Sequence, residues 1–167
     1  LAAALEERAP GHFDVVLGLK HAHPMIEETG AQLVAQGVRR AVGLVLAPHY
    51  SSYSIGQYMD RLKASLEPSG CEVRPIETWA SNPAYVGFLA DEVRVGLNRL
   101  PQGSKVLFTA HSLPERIIAA GDPYPSELRK TASWVAAAAV LAPESWDLAY
   151  QSAVRTPEPW LGPDILA

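Results

Sequence analysis

Short apolar runs rich in β-branched residues alternate along this chain with longer segments in which apolar residues recur at helical spacing. Three of the short runs are almost continuously apolar, as strands buried on both faces of a parallel sheet are. This alternation is typical of an α/β fold in which right-handed crossovers join parallel strands. The runs predicted as strands are 15–19, 41–47, 71–76, 105–110 and 148–151.

Helix start and stop signals lie between these runs. Gly37 follows the periodic segment 26–36, and glycine is common just past a helix C-terminus. Asn82 and Pro83 are residue types preferred at the N-cap and at the first position of a helix. The segments predicted as helices are 26–36, 55–66, 83–97 and about 125–142.

Charge and cysteine content exclude several classes of protein. The formal net charge of −4 and the lack of a Lys/Arg run argue against nucleic acid or an anionic membrane as a partner. Cys71 is the only cysteine, so an internal disulfide is impossible. The apolar runs are too short to span a bilayer. We therefore expect a cytoplasmic protein without stable membrane insertion.

Polar side chains follow most of the predicted strands, where parallel sheets bind their ligands. Lys20 and His21 follow the first strand, the segment 49–54 follows the second, and His111 with Ser112 follows the fourth. A single histidine after a strand is more often a structural hydrogen-bonding residue than a catalyst. Three strand ends with imidazoles, however, favour a shared site, because strand order can bring their loops to one crevice.

The chemistry available at these strand ends is narrow. No glycine-rich nucleotide loop and no G-x-S-x-G nucleophile elbow follows any strand. What remains is imidazole, phenol and hydroxyl beside apolar surface. Imidazole binds transition metals and accepts protons near neutral pH. Metal handling together with proton abstraction from a flat apolar substrate fits this inventory.

Five motifs together resemble the ferrochelatases, most closely the coproporphyrin ferrochelatases of Gram-positive bacteria. They occur in the family's order and cover nearly the whole chain. The motifs are LGLKHAHPMIEE (17–28), LAPHYSSYSIGQY (46–58), TAHSLPE (109–115), GDPYP (121–125) and TPEPWLGPD (156–164).

The resemblance implies an α/β fold of two Rossmann-like, chelatase-type lobes with parallel sheets, with the porphyrin held between them. Residues 1–68 would form the C-terminal part of the first lobe and residues 69–167 most of the second. The family's N-terminal segment and its later catalytic glutamate have no counterpart in this sequence. We therefore expect an internal fragment, incomplete at both ends, that lacks full activity.

The resemblance also implies roles for particular residues. His111 matches the family's catalytic histidine and would act as the base for a pyrrole proton, as an iron ligand, or as both. Tyr58 matches a tyrosine that contacts a substrate propionate, although core packing on its helix explains it equally well. Ser52 and Ser54 would add hydroxyls to the same substrate site. Lys20 and His21 resemble a surface metal-binding pair. Asp122 is not assigned a role in the site, and we expect its side chain to cap the turn into Pro123.

The expected partners are ferrous iron and a porphyrin, with coproporphyrin III as the predicted substrate, in heme biosynthesis. Iron is a substrate here, and no organic cofactor is expected. Ser52 stands where animal relatives have a cluster cysteine and only one thiol is present, so no iron–sulfur cluster is expected. We expect a monomer. Two alternatives remain open: a sirohydrochlorin-type cobalt or iron chelatase, and a non-catalytic tetrapyrrole-binding module.

Overall fold

The computed structural model describes residues 1–154 and 156–167, and these residues form six α-helices, four strands and two short 3-10 helices, Glu67–Ser69 and Pro143–Ser145. A single π-helical turn, Ser52–Gly56, leads into α3. The helices are α1 Ala2–Arg8, α2 Ile26–Ala35, α3 Gln57–Leu66, α4 Pro83–Leu97, α5 Arg116–Ala119 and α6 Tyr124–Ala138. The strands are β1 Arg40–Leu44, β2 Glu72–Ile76, β3 Val106–His111 and β4 Trp146–Gln151.

The chain divides into two compact units. The first unit contains residues 1–44 and 57–76, and the second contains residues 45–56 and 77–167. The boundary predicted at residues 68 and 69 differs from this division at two places. The strand β2 belongs to the first unit because it pairs with β1, and the segment 45–56 belongs to the second unit.

A parallel strand pair and two packed helices form the first unit. Strand β1 runs parallel to β2, with Arg40 opposite Glu72 and Leu44 opposite Ile76. Helices α2 and α3 pack closely: a Cβ added at Gly30 would lie 1.9 Å from the Oγ of Ser65, so this approach requires glycine. The buried apolar residues of this unit are Ile26, Met59, Leu66 and Cys71.

A second parallel pair and the helix pair α4–α6 form the second unit. Strands β3 and β4 pair from Val106 opposite Trp146 to His111 opposite Gln151. One cluster of buried residues lies around this pair and another lies between α4 and α6. The first cluster contains Ala110, Ile117, Leu128, Leu148, Tyr150 and Leu161, and the second contains Ala90, Val135 and Ala139.

The predicted strand at 15–19 is wrong. Residues 13–18 have no regular structure, and only Leu19 forms an isolated bridge, with Met25. Val15, Val16 and Leu17 are 43%, 53% and 61% exposed. A run of apolar residues becomes a strand only where another strand pairs with its backbone. Among the described residues no strand lies beside this run.

The helix signals in the sequence are confirmed. The side chain of Asn82 accepts a hydrogen bond from Ala84 N at 2.9 Å and caps α4. Gly37 has a φ of 73° just past α2, the left-handed conformation that glycine favours. Helix α3 begins at Gln57 rather than at residue 55, because the π-helical turn precedes it. Within residues 1–154 and 156–167, no helix combines the length and the hydrophobicity that crossing a bilayer requires.

Candidate functional site

His111 is the last residue of β3 and lies opposite Gln151 of β4. Its neighbour Ser112 is completely buried and fixes the strand end with two hydrogen bonds. Ser112 N donates to Gln151 O at 2.7 Å, and its hydroxyl donates to Leu161 O at 2.8 Å. The backbone is therefore held rigidly at the point where the exposed side chain of His111 begins.

A cavity of about 380 Å³ in the second unit is lined in part by His111. This volume lies within the range of small-molecule binding sites. Leu113 and Leu128 contribute apolar wall, and side chains from separate segments contribute polar groups. The polar residues that line the cavity are His49, Ser54, Tyr85, Thr109, His111 and Tyr124.

His49 is the second imidazole of this cavity. Its Nε2 lies 3.0 Å from the hydroxyl of Thr131 on α6. Burial lowers the pKa of His49, and the nearby Glu127 carboxylate opposes this only in part. The imidazole is therefore neutral at pH 7, the form that accepts a proton.

Two tyrosines contribute phenols to the same wall. The hydroxyl of Tyr124 donates to the backbone oxygen of His111 at 2.9 Å. Burial, together with Tyr150 and Asp122, raises the pKa of Tyr124 to about 12, so it remains a neutral donor. Burial also raises the pKa of Tyr85, whose ring packs edge-on against Trp79 with centroids 4.9 Å apart.

Of the predicted substrate-binding serines, one lines the cavity and the other does not. Ser54 is half-buried in the cavity wall. The hydroxyl of Ser52 donates instead to the carboxylate of Asp122, at 2.7 Å. Asp122 also accepts from Tyr124 N at 3.0 Å, which is the turn cap expected from the sequence.

The carboxylate of Asp122 is kept ionised by its surroundings. Partial burial raises the pKa of Asp122, but the hydrogen bonds from Tyr124 N, Ser52 and Ser51 outweigh that effect. The pKa therefore lies below its ordinary value. Asp122 is negatively charged throughout the neutral range.

The other three predicted site residues, Lys20, His21 and Tyr58, belong to the first unit. The ammonium of Lys20 donates to the side chain of Gln57 and lies 5.3 Å from the ring centroid of Tyr58. His21 is exposed, and Tyr58 is half-buried.

An ion pair adjoins these residues of the first unit. Arg61 donates to Glu27 through two nitrogens, at 2.6 and 2.7 Å, and to the backbone oxygen of Lys20 at 2.9 Å. The hydrogen bonds from Arg61 lower the pKa of Glu27 to about 2. The backbone of Lys20 is thereby tied to α3.

Sequence reasoning missed three polar residues that line the cavity. Tyr124 lies inside the GDPYP motif, so its position in a distinctive motif was a usable signal. Thr109 lies two residues before His111 on β3 and shares its face of the strand, which the period of two predicts. Tyr85 lies on α4 beside the apolar stripe, and nothing in the sequence pattern distinguishes it.

Among residues 1–154 and 156–167, no three His, Cys, Asp or Glu side chains cluster closely enough to hold a metal ion. The candidate groups for metal contact are therefore single imidazoles. His111 and His49 face the cavity, and His21 lies on the surface of the first unit.

The family model described as ferrochelatase matches residues 1–167 of this chain. The chain is 42% identical over 156 residues to coproporphyrin III ferrochelatase 2 of Bacillus anthracis, which covers 92% of this chain and 48% of that protein. A ferrochelatase of Deinococcus radiodurans is 42% identical over 155 residues, covering 89% of this chain and 49% of that protein.

This chain is also 42% identical over 158 residues to coproporphyrin III ferrochelatase of Geobacillus kaustophilus. The match covers 92% of this chain and 49% of that protein. The chain spans about half the length of the curated relatives it matches. The family match extends over every motif and over the strand end that presents His111. This chain belongs to the ferrochelatase family.

Proposed function

We propose that this protein inserts ferrous iron into a porphyrin, as a step of heme biosynthesis. The observation that carries the proposal is the position of His111. Its imidazole projects from the carboxyl end of a parallel strand into a cavity that also holds a second, neutral imidazole and two phenols. Family membership supplies the reaction class, and the cavity supplies groups suited to it.

Insertion replaces two pyrrole protons of the free porphyrin with one Fe(II) ion, which gives up water ligands as it enters the ring. The protein must therefore accept protons and receive a partly dehydrated metal ion. A neutral imidazole can do either, but one nitrogen cannot hold a proton and a metal at the same moment. We assign His111 to the first proton transfer or to iron delivery, with the backbone around it fixed by Ser112 and Tyr124.

The proposed substrate is coproporphyrin III, supported by relatives named coproporphyrin III ferrochelatases. Its propionates need hydrogen-bond donors, and the serine and tyrosine hydroxyls proposed for substrate binding are of that kind. Ser54 reaches the cavity directly, whereas Ser52 contributes through the loop it fixes. Tyr58 carries the proposed propionate contact in the first unit.

Of Lys20 and His21, the two residues proposed to form a surface metal site, His21 is the better metal ligand. Its imidazole is exposed, whereas the Lys20 ammonium is already donating to Gln57. A protonated amine has no lone pair for a metal. We propose that Lys20 supports the site by charge while His21 binds the ion.

We further propose that the two units are parts of Rossmann-like lobes and that the protein is a cytoplasmic monomer without an organic cofactor or iron–sulfur cluster. Within these 167 residues Cys71 is the one thiol, whereas a cluster held by cysteines needs four thiolates. Size-exclusion chromatography with light scattering tests the monomer, and visible absorption of the purified full-length protein tests the cluster.

The deciding experiment replaces His111 by alanine in the full-length protein and measures iron insertion by the change in porphyrin absorption. We expect the insertion rate to fall about 100-fold or more, the range for loss of an acid–base group, while porphyrin affinity changes only a few-fold. His12→Ala is the control, because the imidazole of His12 is exposed and its Nδ1 lies 2.9 Å from the backbone oxygen of the nearby Pro10. A His111→Ala variant with the wild-type rate would refute the role of this imidazole.

Metal and tetrapyrrole preference separate the proposed function from its alternatives. The wild-type protein is assayed with Fe(II) and Co(II) against coproporphyrin III, protoporphyrin IX and sirohydrochlorin. A ferrochelatase converts a porphyrin fastest with iron. A higher rate with sirohydrochlorin would indicate the sirohydrochlorin-type chelatase, and binding without any metal insertion would indicate a non-catalytic module.

A further inference from the structure

The turn that precedes α6 places one carboxylate against donors from two segments of the second unit. Asp122 Oδ2 accepts from the hydroxyl of Ser51 at 3.0 Å, from Ser52 N at 2.8 Å and from the hydroxyl of Ser52 at 2.7 Å. Its other oxygen, Oδ1, accepts from Tyr124 N at 3.0 Å. Four hydrogen bonds thus converge on a single side chain.

Both segments held by Asp122 carry residues of the cavity wall. Ser54 lies two residues after Ser52, and Tyr124 both lines the cavity and donates to the backbone oxygen of His111. Asp122 itself does not line the cavity. It is placed to set the distance between the serine loop and the tyrosine that supports the strand end.

We propose that Asp122 is a positioning residue that holds Ser54 and Tyr124 in register around His111 for metal insertion, an inference that rests on the proposed function. The geometry requires a carboxylate. An asparagine has one acceptor oxygen, so its amide group would face either the serine donors or Tyr124 N. Asp122→Asn therefore keeps the size of the side chain and breaks one side of the link.

The charge state of Asp122 is consistent with this role. Its hydrogen bonds hold the pKa below the ordinary value, so the carboxylate is ionised over the whole range in which imidazole chemistry operates. Charge-assisted hydrogen bonds are roughly twice as strong as neutral ones. These hydrogen bonds therefore persist throughout the neutral pH range.

Two further residues of α6 hold the adjoining part of the same loop. Glu127 Oε2 accepts from Tyr50 N at 3.0 Å and from the hydroxyl of Thr78 at 3.1 Å, and Thr131 pairs with His49. Residues 127 and 131 lie one turn apart on one face of the helix. These contacts restrain residues 49 and 50, and Asp122 restrains residues 51 and 52. Asp122 differs from them in that it also binds Tyr124.

The test is Asp122→Asn in the full-length protein, with Asp91→Asn as a matched control. Asp91 is an exposed aspartate on α4 that pairs with Arg94. Two kinds of measurement are made below the melting temperature of each variant. Steady-state kinetics give kcat and the KM values for porphyrin and Fe(II), and hydrogen exchange is followed at the Ser52 and Tyr124 amides. For Asp122→Asn we expect kcat to fall about 10-fold to 100-fold, since a displacement of about 1 Å at a reacting group has that effect.

Exchange of the Ser52 and Tyr124 amides reports on the hydrogen bonds that these two groups donate to Asp122. We expect at least one of the two amides to exchange faster in Asp122→Asn, and neither to change in Asp91→Asn. Ser52→Ala, which removes one of the four hydrogen bonds, should give a smaller loss of kcat, and it serves as the test variant if Asp122→Asn does not fold. Faster exchange with unchanged kcat would overturn the proposal, because Asp122 would then be structural only.

Failure of the proposed function is distinguishable from failure of this inference. If the wild-type protein inserts no metal, the proposed function fails, and the positioning role for metal insertion is overturned with it. Unchanged exchange of both amides in Asp122→Asn would overturn the link itself while leaving the function of the wild-type protein intact.

Discussion

At the scale of single residues, two imidazoles share a cavity but differ in their surroundings. The side chain of His111 is exposed, and it projects from a strand end whose backbone is fixed by hydrogen bonds. His49 is half-buried beside Thr131 and Glu127. Burial favours the neutral form of His49, whereas His111 is free to meet a substrate. The pH dependence of the free energy of unfolding therefore tests whether the imidazole of His49 is buried in the folded protein.

Replacing His49 by glutamine should weaken the loss of stability in mild acid. Burial lowers the pKa of His49 below its ordinary value of 6.5, so below that pH the unfolded chain binds a proton that the folded protein excludes. The free energy of unfolding therefore falls as the pH drops below about 6.5. Glutamine cannot take up this proton, so urea unfolding of His49→Gln between pH 7.5 and 5.5 should show a smaller decrease than wild type.

The control for this pH series is His12→Gln, whose imidazole is exposed. It should reproduce the wild-type decrease in stability. Equal pH dependence in His49→Gln and wild type would show that the burial of His49 does not control its proton binding.

Replacing Ser112 by alanine should destabilise the protein by about 1–3 kcal/mol, the cost of leaving a buried polar group without its hydrogen bond. Ser112 is 0% exposed, and its hydroxyl donates to Leu161 O at 2.8 Å. Chemical denaturation gives the free energy of unfolding. Ser133→Ala, which alters an exposed hydroxyl on α6, should stay within about 0.5 kcal/mol of wild type. Equal effects from the two variants would contradict the structural role of Ser112.

At the scale of elements, α6 combines two tasks. Leu128 and Val135 pack into the two apolar clusters of the second unit. Glu127 and Thr131 hold the loop that contains His49. The apolar spacing in the sequence predicts the first task, because core positions follow the helical period. It does not predict the second, because the partners are about 80 residues away in the chain.

The N-cap of α4 is a local signal whose energetic contribution can be measured. Asn82 accepts from Ala84 N at 2.9 Å, so Asn82→Ala should destabilise the protein by about 1 kcal/mol. Asn98→Ala at the other end of α4 is the control and should cost less than about 0.5 kcal/mol, because no side-chain cap acts there. Thermal and urea unfolding should agree on this order, and a reversed order would contradict the cap.

What the sequence predicted correctly is largely local. The cap at Asn82, the glycine after α2 and the polar strand end at His111 depend on neighbouring residues. The predicted strand at 15–19 failed because strand formation requires a partner supplied by another part of the chain. The link through Asp122 joins residues about 70 positions apart, so the sequence alone predicted only its contact within the turn.

At the scale of the whole molecule, the boundary between the two compact units also depends on contacts between residues that are far apart in the sequence. The chain leaves the first unit after β1, contributes residues 45–56 to the second and returns for α3 and β2. A boundary read along the sequence assumes that each unit is continuous. The segment that crosses over, 45–56, carries Ser54 and His49, so the candidate site depends on this discontinuity.

The exposed apolar run at Val15–Leu17 should control the aggregation of the 167-residue chain. These residues are 43%, 53% and 61% exposed, and they form an uncharged segment with high β-propensity. Such a segment can pair with the same segment of another molecule. Val16→Glu should therefore lower the rate of aggregation several-fold in static light scattering at pH 7.5, because it places a charge inside the run. Leu100→Glu changes the net charge equally at a residue that is 55% exposed and lies between Arg99 and Pro101 rather than in an apolar run, so it should have a much smaller effect. Equal reductions in the two variants would show that net charge, rather than this run, governs association.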